Sequence, residues 1–432
     1  MPSQTSIHLR PTQTLLLGSL LFGLFFGAGN LIFPVSLGLQ SGASVIPAVL
    51  GFLVAAVGLP ILGVVASALA QTRDLHELAS RAAPWFGVLF TCALYLTIGP
   101  FFAIPRTATV SFEMAFGGRL GSGGEALVLL LFSAGFFGAV LAAAVRPGRL
   151  LDYVGRYLTP VFLVLLGILL AVVLGRGGQS RPAAVEPYLH HPASQGILDG
   201  YNTMDALASL AFAIVVIEAV RRLGVVAPHR IAIEVGKAGV LAALAMGVIY
   251  TALAGLGAGA SGLVGRDENG AVTLSAVSSQ TFGAVGHWLA ALIMLVACLK
   301  TAIGLVTACS EMFATMFPRS LSQRQWAVAF TVVSFGLANV GLEAIISASV
   351  PVLQLLYPLA ICIIALGLLD PWLRSRVWAW RLSLLGAGLA STLSLLGIDH
   401  VPFLPGHELG FGWVLPAILG LIVGSLLPAR RS

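Results

Sequence analysis

The chain has 432 residues, of which 58% are hydrophobic and only 9% charged, with a formal net charge of +6 and a mean hydropathy of +0.98. A soluble chain of this length would divide into about two to four domains, but this composition is that of a protein held in lipid. The basic residues lie in short segments between apolar runs, which speaks for membrane topology and excludes a nucleic-acid surface.

Apolar runs of roughly 18 to 25 residues recur from Leu15 to Leu427, each long enough to cross about 30 Å of hydrocarbon at 1.5 Å per residue. They are apolar on nearly all sides and do not alternate at period two, so helices are expected and a strand barrel is not. The reading is an all-α polytopic membrane protein, one membrane domain with about twelve spans. The first six lie near 12–38, 43–70, 86–112, 124–145, 151–175 and 203–220. The other six lie near 236–259, 283–316, 325–341, 345–369, 377–397 and 410–428. The segment before the first run, "MPSQTSIHLRPTQ", is too short for a cleavable signal, so the first run is expected to be retained as a span.

In the first span, "LLFGLFFGAGNLIFPVSLGLQSG" gathers Gly23, Gly27, Gly29, Asn30 and Pro34. Glycine weakens helix propagation by about 1 kcal/mol relative to alanine and proline cannot donate to the preceding turn, so a break is expected near Gly27 to Asn30. Such a break exposes carbonyls at one half-helix end and amides at the next, a site for a cation, an ammonium group and a carboxylate. Close helix packing is the competing explanation of the glycines. A phosphate loop is disfavoured, since no strand precedes the glycines and no lysine follows.

The third span carries Arg106 and Glu113 two turns apart on one face, near its outer end. A snorkelling interface anchor or a gate are the two readings for this pair. The sixth, "DGYNTMDALASLAFAIVVIEAV", enters through Asn202, Thr203 and Asp205 and continues with the small residues Ala208, Ser209, Ala211 and Ala213; no glycine marks a break near Phe212. Phe25, Phe26, Phe102 and Phe212 lie close enough to the expected breaks to line an apolar pocket.

The eighth span, "LIMLVACLKTAIGLVTACSEMF", buries Lys300 about sixteen residues, or roughly 20 Å, from either surface. A lysine stem reaches about 6 Å, so the ammonium must face a cavity or a partner. Ala297, Lys300, Thr301, Gly304 and Ala308 form one stripe of small and polar residues, the face expected to meet the broken first helix. Glu311 lies too far along the helix to pair with Lys300, and Glu218, Asp370, His190, His191, His400 and His407 are read as solvated or interfacial.

Cys92, Cys298, Cys309 and Cys362 lie in apolar segments without CxxC spacing and read as small buried hydrophobes. An intramembrane enzyme would need a metal motif, paired carboxylates or a Ser/His set, and the spans are read as free of histidine; a channel would favour charged rings or filter repeats. No cofactor is expected. Of the 23 lysines and arginines, only Arg119, Arg176, Arg181 and Arg266 fall in outer loops and Arg106 and Lys300 within spans, which places both termini in the cytoplasm. Residues 12–175 and 203–369 form two five-span blocks separated by a long outer loop, with two further helices over 377–428. An odd number per block inverts the second against the first, as in many secondary transporters.

The segments "FFGAGNLIFP", "GPFFAIPRTATVSFE", "GYNTMDALASLAFAIVVI", "ACLKTAIGLVTACSEMF" and "SVPVLQLLYPL" occur in order along nearly the whole chain. In these the chain resembles the bacterial branched-chain amino acid:cation symporter family (LIVCS or BrnQ), of the amino acid-polyamine-organocation superfamily. The resemblance implies a LeuT-type fold of two inverted five-helix repeats plus two helices in the cytoplasmic membrane. It also implies import of leucine, isoleucine and valine, usually with sodium. It further implies that Gly27, Ala28, Gly29 and Asn30 hold the substrate carboxylate and carbonyls near Phe212 and Ala213 its ammonium; Phe102 and Ser209, beside the expected breaks, are also expected to face substrate. Gly23 and Phe26, facing Ala297, Lys300 and Thr301, would match the sodium site. Ala213 departs from the family, where glycine is frequent, and Lys300 departs from the hydroxyl residue that sodium carriers of this fold generally place there.

Three readings of Lys300 follow. Its ammonium donates to carbonyls at Gly23 and Phe26 and replaces sodium; or desolvation favours its neutral form and makes it a proton acceptor that drives the cycle; or it is a structural lysine beside a working sodium site. The first two predict transport that does not need sodium, and the third a conventional sodium symporter.

Overall fold

The computed structural model describes residues 9–117, 124–145, 159–175, 181–373, 376–397 and 405–428, which form helices joined by turns with no strand among them. Arg119, Arg146, Arg149, Arg156, Arg176, Arg374, His400, Arg430 and Arg431 lie outside the described residues.

The first span is two helices, α1 (Pro11–Phe25) and α2 (Ala28–Ser41), interrupted at Phe26 and Gly27. Pro11 opens α1 where a missing amide costs nothing, and the Gln13 side chain accepts from the Arg10 amide at 2.8 Å. Helical residues then run on through α3 (Val45–Leu53) and α4 (Leu59–Ala70), joined by a π-helical turn at Val54–Gly58. The 43 residues from Ala28 to Ala70 would rise about 64 Å, twice the hydrocarbon thickness. Gly42, at φ +49°, divides them into two crossings by a conformation that glycine adopts without strain.

A short helix, α5 (Leu75–Ala79), is capped by Asp74, whose carboxylate accepts from the Glu77 amide at 2.8 Å. The third span is expected to be continuous but is also broken. Between α6 (Pro84–Leu96) and α7 (Ala103–Phe116), Gly99 leaves helical geometry and Pro100 removes a donor. After α8 (Glu125–Ala144) and α9 (Thr159–Gly175), the sixth span begins earlier than expected. It consists of α10 (Pro192–Tyr201) and α11 (Asp205–Arg222), bent by 46°. The segment read as an outer loop thus supplies a half-helix, because Gly196 and Gly200 let it lie directly on the backbone of α3.

The chain continues through α12 (Pro228–Gly259), α13 (Gly270–Phe282) and α14 (Ala284–Met316), with α13 in a segment expected to be a loop. It ends with α15 (Gln323–Ala338), α16 (Leu342–Leu368), the short α17 (Asp370–Leu373), α18 (Val377–Leu395) and α19 (Val414–Leu426). Among the described residues, six helical runs have the length and apolar composition to cross a bilayer, or seven with the bent pair. Pro11–Phe25, Phe162–Val172 and Val414–Leu426 are shorter apolar helices. Large apolar side chains such as Leu16, Leu127, Leu131, Val248 and Leu426 are mostly exposed. That surface would be costly in water and suits hydrocarbon.

Around the breaks the helices meet through small residues. A side chain at Gly38 would strike the Ala254 carbonyl on α12, and one at Gly257 would strike the Val35 carbonyl on α2. This brings α2 and α12 together at backbone distance, the packing that replaces a hydrophobic drive inside a membrane.

Asp370, read as solvated from the sequence, is fully buried and ion-paired with Arg81. Arg81 Nη2 also donates to the Ala70 carbonyl at 2.6 Å, and Arg381 Nε donates to Ala82 at 2.8 Å, so the α4–α6 connection is clipped to α16–α18. α16 ends at Leu368, two residues before Asp370, and the partner of the carboxylate comes from the distant α4–α6 connection. Breaking a buried pair costs about 3 kcal/mol or more, whereas an exposed pair is worth about 0–1 kcal/mol. Asp370→Ala is therefore expected to lower the melting temperature of the purified protein by several degrees. Glu218→Ala, which removes the exposed pair with Arg222, should leave it within about one degree; equal melting of the two variants would refute the clip.

Candidate substrate and ion site

The break in the first span places free amides at the start of α2. Gly27 has an extended backbone (φ −126°, ψ −160°), and its N–H donates to Asn30 Oδ1 at 2.8 Å. The amide end of Asn30 donates to the Asp205 carboxylate and to the Tyr250 hydroxyl. Asn30, Asp205 and Tyr250 are 1%, 3% and 0% exposed. One side chain therefore ties the start of α2, the start of α11 and the middle of α12 together. Nothing in the sequence marks Tyr250, and Asp205 stands there only as part of a polar entrance.

The second break lies at Asn202 to Met204, more than two turns before Phe212 and Ala213. Met204 adopts the left-handed conformation (φ 61°), a strained state that tends to gather at functional sites. Thr203 Oγ1 donates to the Gly200 carbonyl at 2.8 Å and accepts from the Asp205 amide at 3.4 Å. These short polar side chains give the backbone an alternative to helix, so no glycine is needed. The expectation of free carbonyls near Phe212 and Ala213 does not hold, because both lie inside the uninterrupted α11. Ser209 does not line the cavity between the breaks. Its hydroxyl donates to the Ala206 carbonyl at 2.7 Å and packs against Gly63 of α4.

Between the two breaks lies a cavity. Its apolar wall includes Leu24, Phe25, Ile98, Ala208, Phe212 and Leu305, and its polar residues include Asn30, Arg106, Thr107, Thr203, Asp205 and Thr301. Gly27, Ala28 and Gly29 also line it, whereas Gly23, Phe26, Phe102 and Ala213 do not. Arg106 is not the interface anchor that its distance from the span end suggested. It is 3% exposed, its guanidinium lies over the Phe33 ring at 5.1 Å, and Nη2 would lie 3.2 Å from a side chain at Gly29. The break at Gly99–Pro100 is what turns the start of α7 toward α2. Glu113 is half-buried beside Gly117 and forms no ion pair with Arg106.

Lys300 is 1% exposed, and its ammonium faces the rings of Phe162 at 5.4 Å and Phe22 at 5.9 Å. These rings join Phe26, with centroids 4.9 Å from Phe22 and 5.1 Å from Phe162. Of the three readings of Lys300, the one in which it donates to carbonyls at Gly23 and Phe26 is not met here; Nζ has no hydrogen-bond partner among the described residues. Aromatic faces attract a desolvated cation by about 2 kcal/mol. They do not suit sodium, a hard ion that binds oxygen. Ala297 is buried one turn away, and Thr301 touches the break itself, its Oγ1 lying 2.7 Å from where a Gly27 side chain would begin. The stripe on α14 thus meets the first span as expected, with Lys300 turned into an aromatic box.

The spans are not free of histidine. His287 is buried in the first turn of α14, with Nδ1 2.9 Å from Ser275 Oγ and Nε2 2.9 Å from the Ala115 carbonyl, joining α13, α14 and α7. Among the described residues no three His, Cys, Asp or Glu side chains gather as a metal site.

The family model for branched-chain amino acid transport protein matches residues 10–431. The chain is 43% identical over 423 residues to the branched-chain amino acid permease BrnQ of Lactobacillus delbrueckii subsp. lactis, covering 94% of this chain and 95% of the relative. It is 43% identical over 435 residues to the permease BraB of Bacillus subtilis (strain 168), covering 97% and 96%. Two solved structures share its architecture. One is Mhp1, a nucleobase-cation-symport-1 family transporter, with TM-score 0.62 and 15% identity over 96% of this chain and 94% of that one. The other is MhsT in complex with L-phenylalanine, with TM-score 0.57 and 17% identity over 95% and 98%. At these identities the likeness shows the fold, which is LeuT-type. Helices built for lipid, two broken spans facing one cavity and a whole-chain match agree: the chain is a multi-pass membrane transporter, not an enzyme, and belongs to the branched-chain amino acid transport protein family.

Proposed function

We propose that this transporter imports leucine, isoleucine and valine across the bacterial cytoplasmic membrane by alternating access, with both termini inside, and that Lys300 stands where related carriers hold sodium. The observation that carries the substrate reading is the cavity between the two breaks. Its aliphatic and aromatic wall suits a branched side chain, and its polar residues and helix-start amides suit an amino acid backbone. The relatives named as branched-chain amino acid permeases support the same substrates. The first and second five-helix blocks would rock about this point, as inverted repeats do.

The ammonium of Lys300 supplies a positive charge beside the first break without a bound metal ion. Transport is then sodium-independent, or driven by protons if the lysine gives up its charge during the cycle. The test is leucine uptake into proteoliposomes with sodium and pH varied independently. Wild type is expected to accumulate leucine against its gradient in sodium-free buffer. Lys300→Thr, which opens the position and offers a hydroxyl, is expected to gain at least about tenfold stimulation by sodium. Loss of wild-type uptake on removing sodium at constant proton gradient would instead establish a conventional sodium symporter with a structural lysine.

A further inference from the structure

Arg106 is a buried cation that the proposed import reading leaves without a task. Its Nη1 has no hydrogen-bond partner among the described residues, and no carboxylate lies within 4.0 Å of the guanidinium there. The side chain rests on the start of α2, next to Gly29. That is the positive end of the helix dipole and the place where free amides collect, so the protein's own field disfavours a second positive charge there. The Phe33 face at 5.1 Å and the field of the Asp205 carboxylate offset part of this cost without supplying a hydrogen-bond acceptor to Nη1. Asp205 borders the same cavity, but its carboxylate is engaged by Asn30 from the far side of the break. Two positive sources with different chemistry, a guanidinium and a helix start, thus converge on one small cavity.

We infer that Arg106 is the receptor for the substrate carboxylate, binding it together with the first amides of α2. This deepens the import reading and rests on it. A guanidinium matches a carboxylate with two parallel N–H bonds, which a lysine ammonium cannot reproduce. The carboxylate would satisfy Nη1 and offset the field at the start of α2 in one step. The site then takes α-amino acids and rejects analogues whose carboxyl group is uncharged, whatever their side chain.

The test compares binding of leucine and leucine amide to the purified protein and its variants. Wild type is expected to prefer leucine by about 100-fold or more, the scale of losing one partner of a buried charge pair. Arg106→Gln should lose leucine affinity by a similar factor while binding the amide within about threefold of wild type, which also reports a folded site. Arg106→Lys should restore part of the preference for leucine. Equal weakening of both ligands in Arg106→Gln would overturn the inference and leave a gate or packing role. So would an Arg106→Lys protein that melts like wild type yet binds leucine no better than the amide. If wild type binds neither ligand, the import reading fails before Arg106 is reached.

Discussion

Asp205→Ala is expected to abolish leucine uptake and to lower the melting temperature more than any other single change near the cavity. The carboxylate accepts from Asn30, which also binds Tyr250 and caps Gly27, so the deletion takes an acceptor from the one buried side chain that joins three helices. Each orphaned buried donor costs about 1–3 kcal/mol in a soluble core, and a bilayer interior offers no water to replace the lost bond. Asp205→Asn keeps the shape and one acceptor oxygen, so it should fold with a melting temperature between wild type and alanine. Uptake tests whether the charge itself matters. Thermal unfolding and uptake of both variants decide the point, and an Asp205→Ala protein with wild-type melting would show that the cluster does not hold the breaks together.

The second large effect is steric. Gly27→Ala would place its new carbon 2.7 Å from Thr301 Oγ1 and 3.0 Å from Thr301 Cγ2, closer than side chains approach in folded proteins. Either α14 must move away from the first break or Gly27 must leave its extended conformation, and both disturb the cavity. Uptake is expected to fall by about tenfold or more, the scale of 1–3 kcal/mol for overpacking. Thr301→Gly removes all three atoms in the way, so the double variant should recover much of the loss. The coupling between the two changes is the measurement. Additive losses would show that Gly27 is needed for something other than the contact with α14.

What could be read without coordinates had a local physical cause. Composition and run length dictated helices in a membrane, because only helices or a closed barrel satisfy the backbone there and these runs lack the two-residue alternation of a barrel. Gly27 and Asn30 marked the first break because glycine and a short polar side chain act within a turn or two of themselves. Lys300 was legible as a buried cation from depth along one helix. The missed break at Gly99–Pro100 was equally local, and its signal stood in the sequence.

Other features depend on which helices meet, and no single segment encodes that. The break at Met204 has a local cause in Thr203, but its seat on α3 and its tie to Asn30 come from packing. Tyr250 is an ordinary span residue until α12 packs on α2. Asp370 looked like an interfacial acid because the arginine that buries it lies far away in the chain. Distance along its own helix makes Arg106 look like an anchor, but the helix is kinked at Gly99–Pro100 and the side chain is buried. The sequence by itself therefore determined that this chain is a helical membrane protein with an interrupted first span and a cation in its eighth. Only tertiary packing decided that an arginine and an aspartate join the lysine at that interruption, because charge pairing and desolvation act between helices that the chain brings together from distant segments.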